Sequence, residues 1–190
     1  MTARLFVVAG PSGVGKGTLI RRVLPSVGGI GVATSATTRP RRPDEVDGRE
    51  YHFLTVPEFN RRVEAGEFLE HVTYADHRYG TLRSEVERRL ADGESVVLEI
   101  DVVGAGEIKR RLPNAVLVFV SPPTMDDLES RLTLRNTDPP EVIARRLRIA
   151  RDEMEAKERF DHTIVNADVE RAAAELAGLI RRETTAEETR

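Results

Sequence analysis

Arg4 to Ala9 is an almost unbroken apolar run, and Gly10-Pro11-Ser12-Gly13-Val14-Gly15-Lys16 follows it directly. A run of that kind reads as a strand covered on both faces, which is how strands of a parallel sheet are buried. Lys16 to Leu24 then carries apolar residues at Leu19, Ile20, Val23 and Leu24, a helical stripe that stops before Pro25 and the Gly28-Gly29 loop. Strand, glycine loop and helix in immediate succession confine the chain to α/β architectures built on a parallel sheet.

The same alternation returns later. Ser95 to Ile100 and Ala115 to Val120 read as buried strands, with a helix over Val102 to Leu112 between them. Thr124 with Asp127 three residues on resembles a capping box opening a helix through Leu134, and Pro139-Pro140 starts a charged helix reaching about Glu158. Thr163 to Val165 reads as a last strand, Val169 to Ile180 as a terminal helix, and Glu183 to Arg190 as a frayed tail. Ile30 to about Tyr79 differs in texture. Short alternating segments and turn residues (Pro40, Pro43, Asp47-Gly48, Gly66) predict a small, mostly antiparallel insert with one helix over Pro57 to Ala65.

Composition narrows the function classes. With 190 residues, 39% hydrophobic and 32% charged, the chain holds enough apolar side chain for one packed domain. Lys plus Arg is 29 against 32 Asp plus Glu, a formal charge of −3, which gives no global field for a nucleic acid, so phosphate binding has to be local. There is no Cys, and His52, His71, His77 and His162 lack ligand-like spacing, which leaves a metal to arrive with a substrate. No run approaches the length of a membrane span and no signal-type segment opens the chain, so a cytoplasmic protein is expected, a monomer or small homo-oligomer without a membrane partner.

Gly10 to Lys16 satisfies the pattern Gly, four residues, Gly-Lys between a strand and a helix, the context a phosphate-binding P-loop requires. Its backbone N–H groups and the helix N-terminus cradle phosphate oxygens, and Lys16 neutralises charge on the group that moves. Gly10, Pro11, Ser12, Gly13, Val14, Gly15, Lys16, Gly17 and Thr18 are the expected ATP-binding segment. Gly17 stands where a Ser or Thr usually meets Mg²⁺, and the hydroxyl comes one residue later at Thr18. The Lys-Gly-Thr ending resembles adenylate kinases, in which water holds much of the metal. Mg²⁺ keeps several waters readily, so it is expected on the ATP phosphates, with Thr18 touching a phosphate or the metal.

Ser35-Ala36-Thr37-Thr38-Arg39-Pro40-Arg41-Arg42-Pro43 places three arginines in four positions, enough planar forks to grip a phosphate dianion. Tyr51, Glu70, Tyr79 and Thr81 follow. This series resembles the guanylate kinase family from about Arg4 to Ile180, most specifically over Ser35 to Phe53, where Ser-x-Thr-Thr-Arg, Arg42, Glu45, Gly48 and Tyr51-x-Phe53 fall in family register. The resemblance implies a P-loop NTPase-type α/β fold: a parallel sheet flanked by helices (about 1–34, 88–123 and 151–182), a mixed or antiparallel GMP-binding insert (about 35–87), a helical lid (about 124–150) and a disordered tail (183–190). It further implies ATP-dependent phosphorylation of GMP, and of dGMP, to the diphosphate.

By that resemblance Arg39, Arg42, Tyr51 and Tyr79 hold the GMP phosphate, and Ser35, Glu70, Thr81 and Asp101 read the base. Lys16, Arg39, Arg131, Arg135 and Arg146 stabilise the transferring phosphoryl group, and Asn166 lies by the donor's adenine. The chemistry agrees: guanine offers N1–H and NH₂ donors beside an O6 acceptor, so carboxylates accept from the first two and hydroxyls donate to the third, whereas adenine inverts the pattern. Singly, the tyrosines also read as cross-strand packing, Glu70 as a solvated carboxylate, the lid arginines as solvated helix residues and Asn166 as a helix cap. Asp44, Val103 and Leu134-Arg135-Asn136 depart from the family's Gly, Gln and Gly-Arg-Gly. Two other readings stay open. One is a catalytically silent guanylate-kinase-like binding module, against which the intact loop argues. The other is a kinase for another small phosphate acceptor, against which the base-reading set argues.

Overall fold

The computed structural model describes residues 2–74, 76–134 and 139–185. In chain order its elements are β1 (Leu5–Ala9), α1 (Lys16–Val23), β2 (Ile30–Val32), β3 (Ala36–Thr37), β4 (His52–Phe53), α2 (Val56–Glu64), β5 (Phe68–Tyr74), β6 (His77–Leu82), α3 (Arg83–Ala91), β7 (Ser95–Glu99), α4 (Val102–Arg111), β8 (Val116–Ser121), α5 (Met125–Leu134), α6 (Pro140–Glu155), β9 (His162–Val165) and α7 (Val169–Thr185). The main sheet is five-stranded, ordered β2-β7-β1-β8-β9, and every neighbouring pair is parallel. Its two faces bury separate apolar clusters. Phe6, Val8, Val118 and Val120 meet α1, α5 and α7 on one side, and Val7, Leu98 and Leu117 meet α3 and α4 on the other. The continuous apolar runs thus form the doubly covered sheet expected of them.

β1 lies between β7 and β8, so the loop leaving its carboxyl end opens beside the ends of both neighbours. In open α/β sheets that crevice is where ligands bind. The second sheet is mixed, ordered β4-β3-β6-β5: β3 and β4 run parallel, and β6 is antiparallel to both β3 and β5. A small core of Ala36, Phe59, Phe68 and Leu82 holds it to α2, with the Phe59 and Phe68 rings stacked at 4.5 Å.

Several boundaries differ from the sequence reading. Ile30–Val32 belongs to the main sheet, not to the insert, because it pairs with Val96 and its neighbours on β7. Helix α3 has no counterpart among the predicted elements: Val86 is its one buried residue, and Glu85–Arg89 and Arg83–Glu87 pairs line its exposed side. The terminal helix continues past Ile180 through Thr185, so the tail does not begin at Glu183. Thr184 is 4% exposed, its carbonyl accepts from Thr2 N, and Glu183 pairs with Arg4 at 2.6 Å. The segment expected as a lid is rooted in the core by Leu128, Leu132 and Leu147. Arg135 and Asn136, and the tail from residue 186, lie outside the described residues. Among the described residues no helix is long and apolar enough to cross a membrane.

Candidate functional site

The turn after β1 owes its shape to glycine. Gly10 has φ 138° and packs against the β8 backbone at Val120, while Gly15 caps α1 in the left-handed region at φ 100°. Both conformations are cheap only without a Cβ. The loop closes on itself through Val14 N donating to Pro11 O. Lys16 Nζ donates to Gly10 O at 2.6 Å and to Pro11 O at 3.2 Å, which folds the ammonium over the loop.

Asn166 and Arg131 secure this loop from outside. The buried Asn166 Nδ2 donates to Val14 O at 2.8 Å, and Arg131 donates to Val14 O at 3.3 Å and to Asn166 O at 2.8 Å. Asn166 does not cap the terminal helix; Asp168 does, accepting from Arg171 N. Because the two side chains share one carbonyl, their removal should be non-additive. Asn166→Ala and Arg131→Ala are each expected to raise the ATP KM, and the double variant by less than the product of the two effects. A double-mutant cycle on ATP affinity and thermal midpoint checks this, and strict additivity would refute the shared clamp.

In the second sheet, Thr37 Oγ1 accepts from Arg39 N at 3.1 Å and fixes where Arg39 leaves β3. The Arg39 guanidinium lies 5.6 Å from the Tyr51 ring centroid and 5.7 Å from that of Phe53, and Nη2 donates to Glu45 Oε1 at 2.6 Å. Glu45 Oε2 also accepts from Arg42 N at 2.8 Å, so one carboxylate holds the Arg39 side chain and the Arg42 backbone. That hydrogen bond from Arg39 holds Glu45 below the usual carboxylate range. The Arg42 side chain is exposed, and the Tyr51 and Tyr79 rings meet edge-on at 6.0 Å.

Deeper in, Glu70 is 3% exposed and Oε1 accepts from the fully buried Thr81 hydroxyl at 2.7 Å. Burial pushes its carboxyl up to about 7, helped by the nearby Asp101, against the lowering effects of Thr81 and Arg111. Asp101 caps α4, with Oδ1 accepting from Gly104 N at 2.7 Å. Ser35 lies half-buried just before β3, where its carbonyl accepts from His52 N.

Two acidic residues that sequence reasoning did not single out connect these groups to the loop. Glu99, at the carboxyl end of β7, lies so close that a methyl built on Gly17 would be 2.9 Å from its Oε2. Its charge also reaches Tyr51, whose hydroxyl is pushed up first by burial and then by Glu99. Glu153, on α6, is raised to about 7 chiefly by burial, with Lys16 pulling it down and Asp101 and Asp152 pushing it up. The charge of Lys16 thus reaches Glu153, and that of Asp101 reaches both Glu153 and Glu70. The available signals were spacing alone: Glu99 and Asp101 are two apart at a strand end, and Glu153 lies seven after Arg146 on α6. Arg146 is half-buried on α6, and Thr18 is exposed on α1, its Oγ1 3.4 Å from Arg21 Nη2. Among the described residues no group of three or more His, Cys, Asp or Glu is arranged to hold a metal ion.

Chemically, the chain offers an N–H-rich loop with a fixed ammonium, an arginine and phenol cluster around Arg39, Glu45 and Tyr51, and a buried Glu70 carboxyl near Asp101. The chain is 51% identical over 176 residues to a guanylate kinase of Frankia casuarinae, covering 93% of this chain and 96% of that protein. Among solved structures, the crystal structure of guanylate kinase from Anaplasma phagocytophilum superposes with a TM-score of 0.78 at 29% identity, covering 97% of this chain and 87% of that one. A shikimate kinase from Bacteroides thetaiotaomicron shares the fold at a TM-score of 0.52 and 18% identity, over 94% of this chain and 98% of that one. With the guanylate kinase family model matching residues 2–183 as well, the chain belongs to the guanylate kinase family.

Proposed function

We propose that this chain transfers the γ-phosphoryl group of ATP to GMP, releasing ADP and GDP. The observation that carries the reading is the buried Glu70–Thr81 hydrogen bond, with Glu70 seated against Gly104, whose N–H Asp101 caps. Glu70 and Asp101 suit the N1–H and NH₂ edge of guanine, the Ser35 hydroxyl suits O6, and Thr81, which gives its proton to Glu70, holds that carboxylate in place. Arg39 and Arg42 grip the acceptor phosphate, oriented by Glu45. Burial raises Tyr51, so its hydroxyl keeps its proton at neutral pH and donates to a phosphate oxygen, with the Tyr79 ring packed edge-on beside it.

No general base is needed. A phosphate monoester has its second pKa at about 6, so the acceptor oxygen is already nucleophilic, and the protein's task is alignment and charge stabilisation. Loop N–H groups and Lys16 hold the donor phosphates, with Arg131 on α5 bonded to the loop's Val14 carbonyl and Arg146 on α6; these two and Arg135 are the arginines read as stabilising the transferring group. Asn166 and Arg131 keep the Val14 carbonyl turned out of the cradle. The Thr18 hydroxyl, in the first turn of α1, and the Glu99 carboxylate, beside Gly17, would suit an Mg²⁺ that arrives on ATP with most of its water. Bound there, the ion would neutralise charge on the bridging phosphate oxygens. Free nucleotides as substrates place the activity in the cytoplasm, with the chain acting as a monomer or small homo-oligomer.

The test is ADP release from ATP·Mg²⁺ with GMP, dGMP, AMP, CMP, UMP and ribose phosphates as acceptors. Turnover with GMP at least about a hundredfold above AMP is expected, since a buried polar site left with unpaired groups rejects the wrong partner. Equal rates with GMP and AMP, or GMP binding without turnover, would overturn the proposal.

A further inference from the structure

Building on the acceptor reading above, we infer that Gly104 is a specificity-determining positioning residue: its missing side chain is the space that lets the Glu70 carboxylate seat at the start of α4 beside Asp101. A methyl built on Gly104 would lie 2.9 Å from Glu70 Oε2 and 3.3 Å from Glu70 Cδ, closer than carbon normally approaches either atom. Glu70 has little room to yield. Its Oε1 is tied to Thr81 Oγ1 at 2.7 Å, and the whole residue is 3% exposed. On the other side, Ile100 Cδ1 is 3.4 Å from the same methyl position, so neither neighbour leaves slack. The Gly104 N–H is itself engaged, donating to Asp101 Oδ1 at 2.7 Å. One residue thus fixes both carboxyls of the pocket, Asp101 through its N–H and Glu70 through the side chain it lacks.

Its neighbour on the same helix provides the contrast. Gly106 is exposed, and a methyl there meets nothing within 4 Å. Alanine is the better helix former at both positions, so propensity alone predicts that either replacement is harmless or stabilising. Displacement of Glu70 predicts otherwise for Gly104. The carboxylate has to move off its Thr81 bond or deeper toward the base, and the guanine edge then meets a misplaced acceptor, while the ATP side of the cleft is untouched.

The experiment compares steady-state kinetics and thermal midpoints of wild type, Gly104→Ala, Gly106→Ala, Glu70→Asp and the Gly104→Ala/Glu70→Asp double variant. Gly104→Ala is expected to raise the GMP KM on the order of tenfold with the ATP KM unchanged and the midpoint preserved. Gly106→Ala should match wild type. Shortening the acid by one methylene relieves the contact, so the double variant should bind GMP more tightly than Gly104→Ala alone, although Glu70→Asp by itself weakens GMP binding. A GMP KM within twofold of wild type for Gly104→Ala, or no relief in the double variant, would overturn the inference. Absence of GMP turnover in the wild type would instead fault the acceptor assignment. If Gly104→Ala failed to fold, the Gly104→Ala/Glu70→Asp double variant gives the decision: failure to recover folding there counts against the inference.

Discussion

Replacing Lys16 by methionine is expected to lower phosphoryl transfer roughly 10³-fold with every acceptor, a loss typical of removing a preorganised charge from the transferring group. Methionine keeps the unbranched apolar stem and removes only the ammonium. The cradle's other parts survive: Gly10 and Gly15 still impose the loop, and Asn166 Nδ2 still holds Val14 O. ATP binding should therefore weaken far less than turnover. Gly10 and Pro11 are buried, so their carbonyls lose a donor that water does not readily replace, and the thermal midpoint should fall by roughly 3–6 °C. The loss also has an electrostatic echo. Lys16 is the cation that lowers the Glu153 carboxyl, so its removal drives that acid's pKa higher still, measurable as a shifted carboxyl resonance. Single-turnover rates with GMP within tenfold of wild type would remove Lys16 from the chemical step.

The sheet that carries this loop was readable because β1, β7 and β8 are buried on both faces and so carry unbroken apolar runs. Elements held by less than a full face were not. β2 is three half-buried residues that gain strand geometry only by pairing with β7, and α3 has a single buried residue and gains much of its support from ion pairs. The end of α7 was misread because its partners, Thr2 and Arg4, are distant in sequence.

The site divides along the same line. Lys16 and the arginines at 39–42 are marked by local spacing and residue type, while Tyr51, Glu70 and Thr81 stand out only through the resemblance to the guanylate kinase family. Glu99 matters because it meets Gly17, Glu153 because it faces Lys16, and Gly104 because it meets Glu70. Each of those pairings crosses between elements, and a linear pattern does not encode it. Glu45 falls between the two cases: its place in the arginine loop was visible, but its bidentate hold on Arg39 and on the Arg42 N–H came only with the folded loop.

Removing the acid at residue 70 is the second change expected to act strongly, and its signature is a pH profile. Burial raises the Glu70 carboxyl to about 7, yet accepting from guanine N1–H and NH₂ needs the ionised form. In the free protein that form falls to roughly a tenth at one unit below its pKa, so kcat/KM for GMP should decline as pH drops through about 7. The substrate's own phosphate adds a separate limb near pH 6. Bound guanine donors stabilise the carboxylate, so kcat at saturating GMP should be much flatter. Glu70→Gln has nothing to titrate and presents an NH₂ where the base needs an acceptor. It should lose the limb near 7, keep the one near 6, and lower kcat/KM for GMP roughly 10²-fold while AMP changes little. Stability moves the opposite way with pH. A carboxyl raised in the folded state holds its proton between the unfolded value of about 4.5 and 7, so its contribution is complete below that window and fades as pH rises through it, by at most roughly 3 kcal/mol. Glu153 adds a slope of the same sign, softened by its partial contact with solvent. Denaturant titrations of the ligand-free protein at pH 5 and pH 8 should therefore show wild type losing more stability than Glu70→Gln over that interval. Equal losses, or a limb near 7 that survives in Glu70→Gln, would mean that Glu70 is not the acid reading the base.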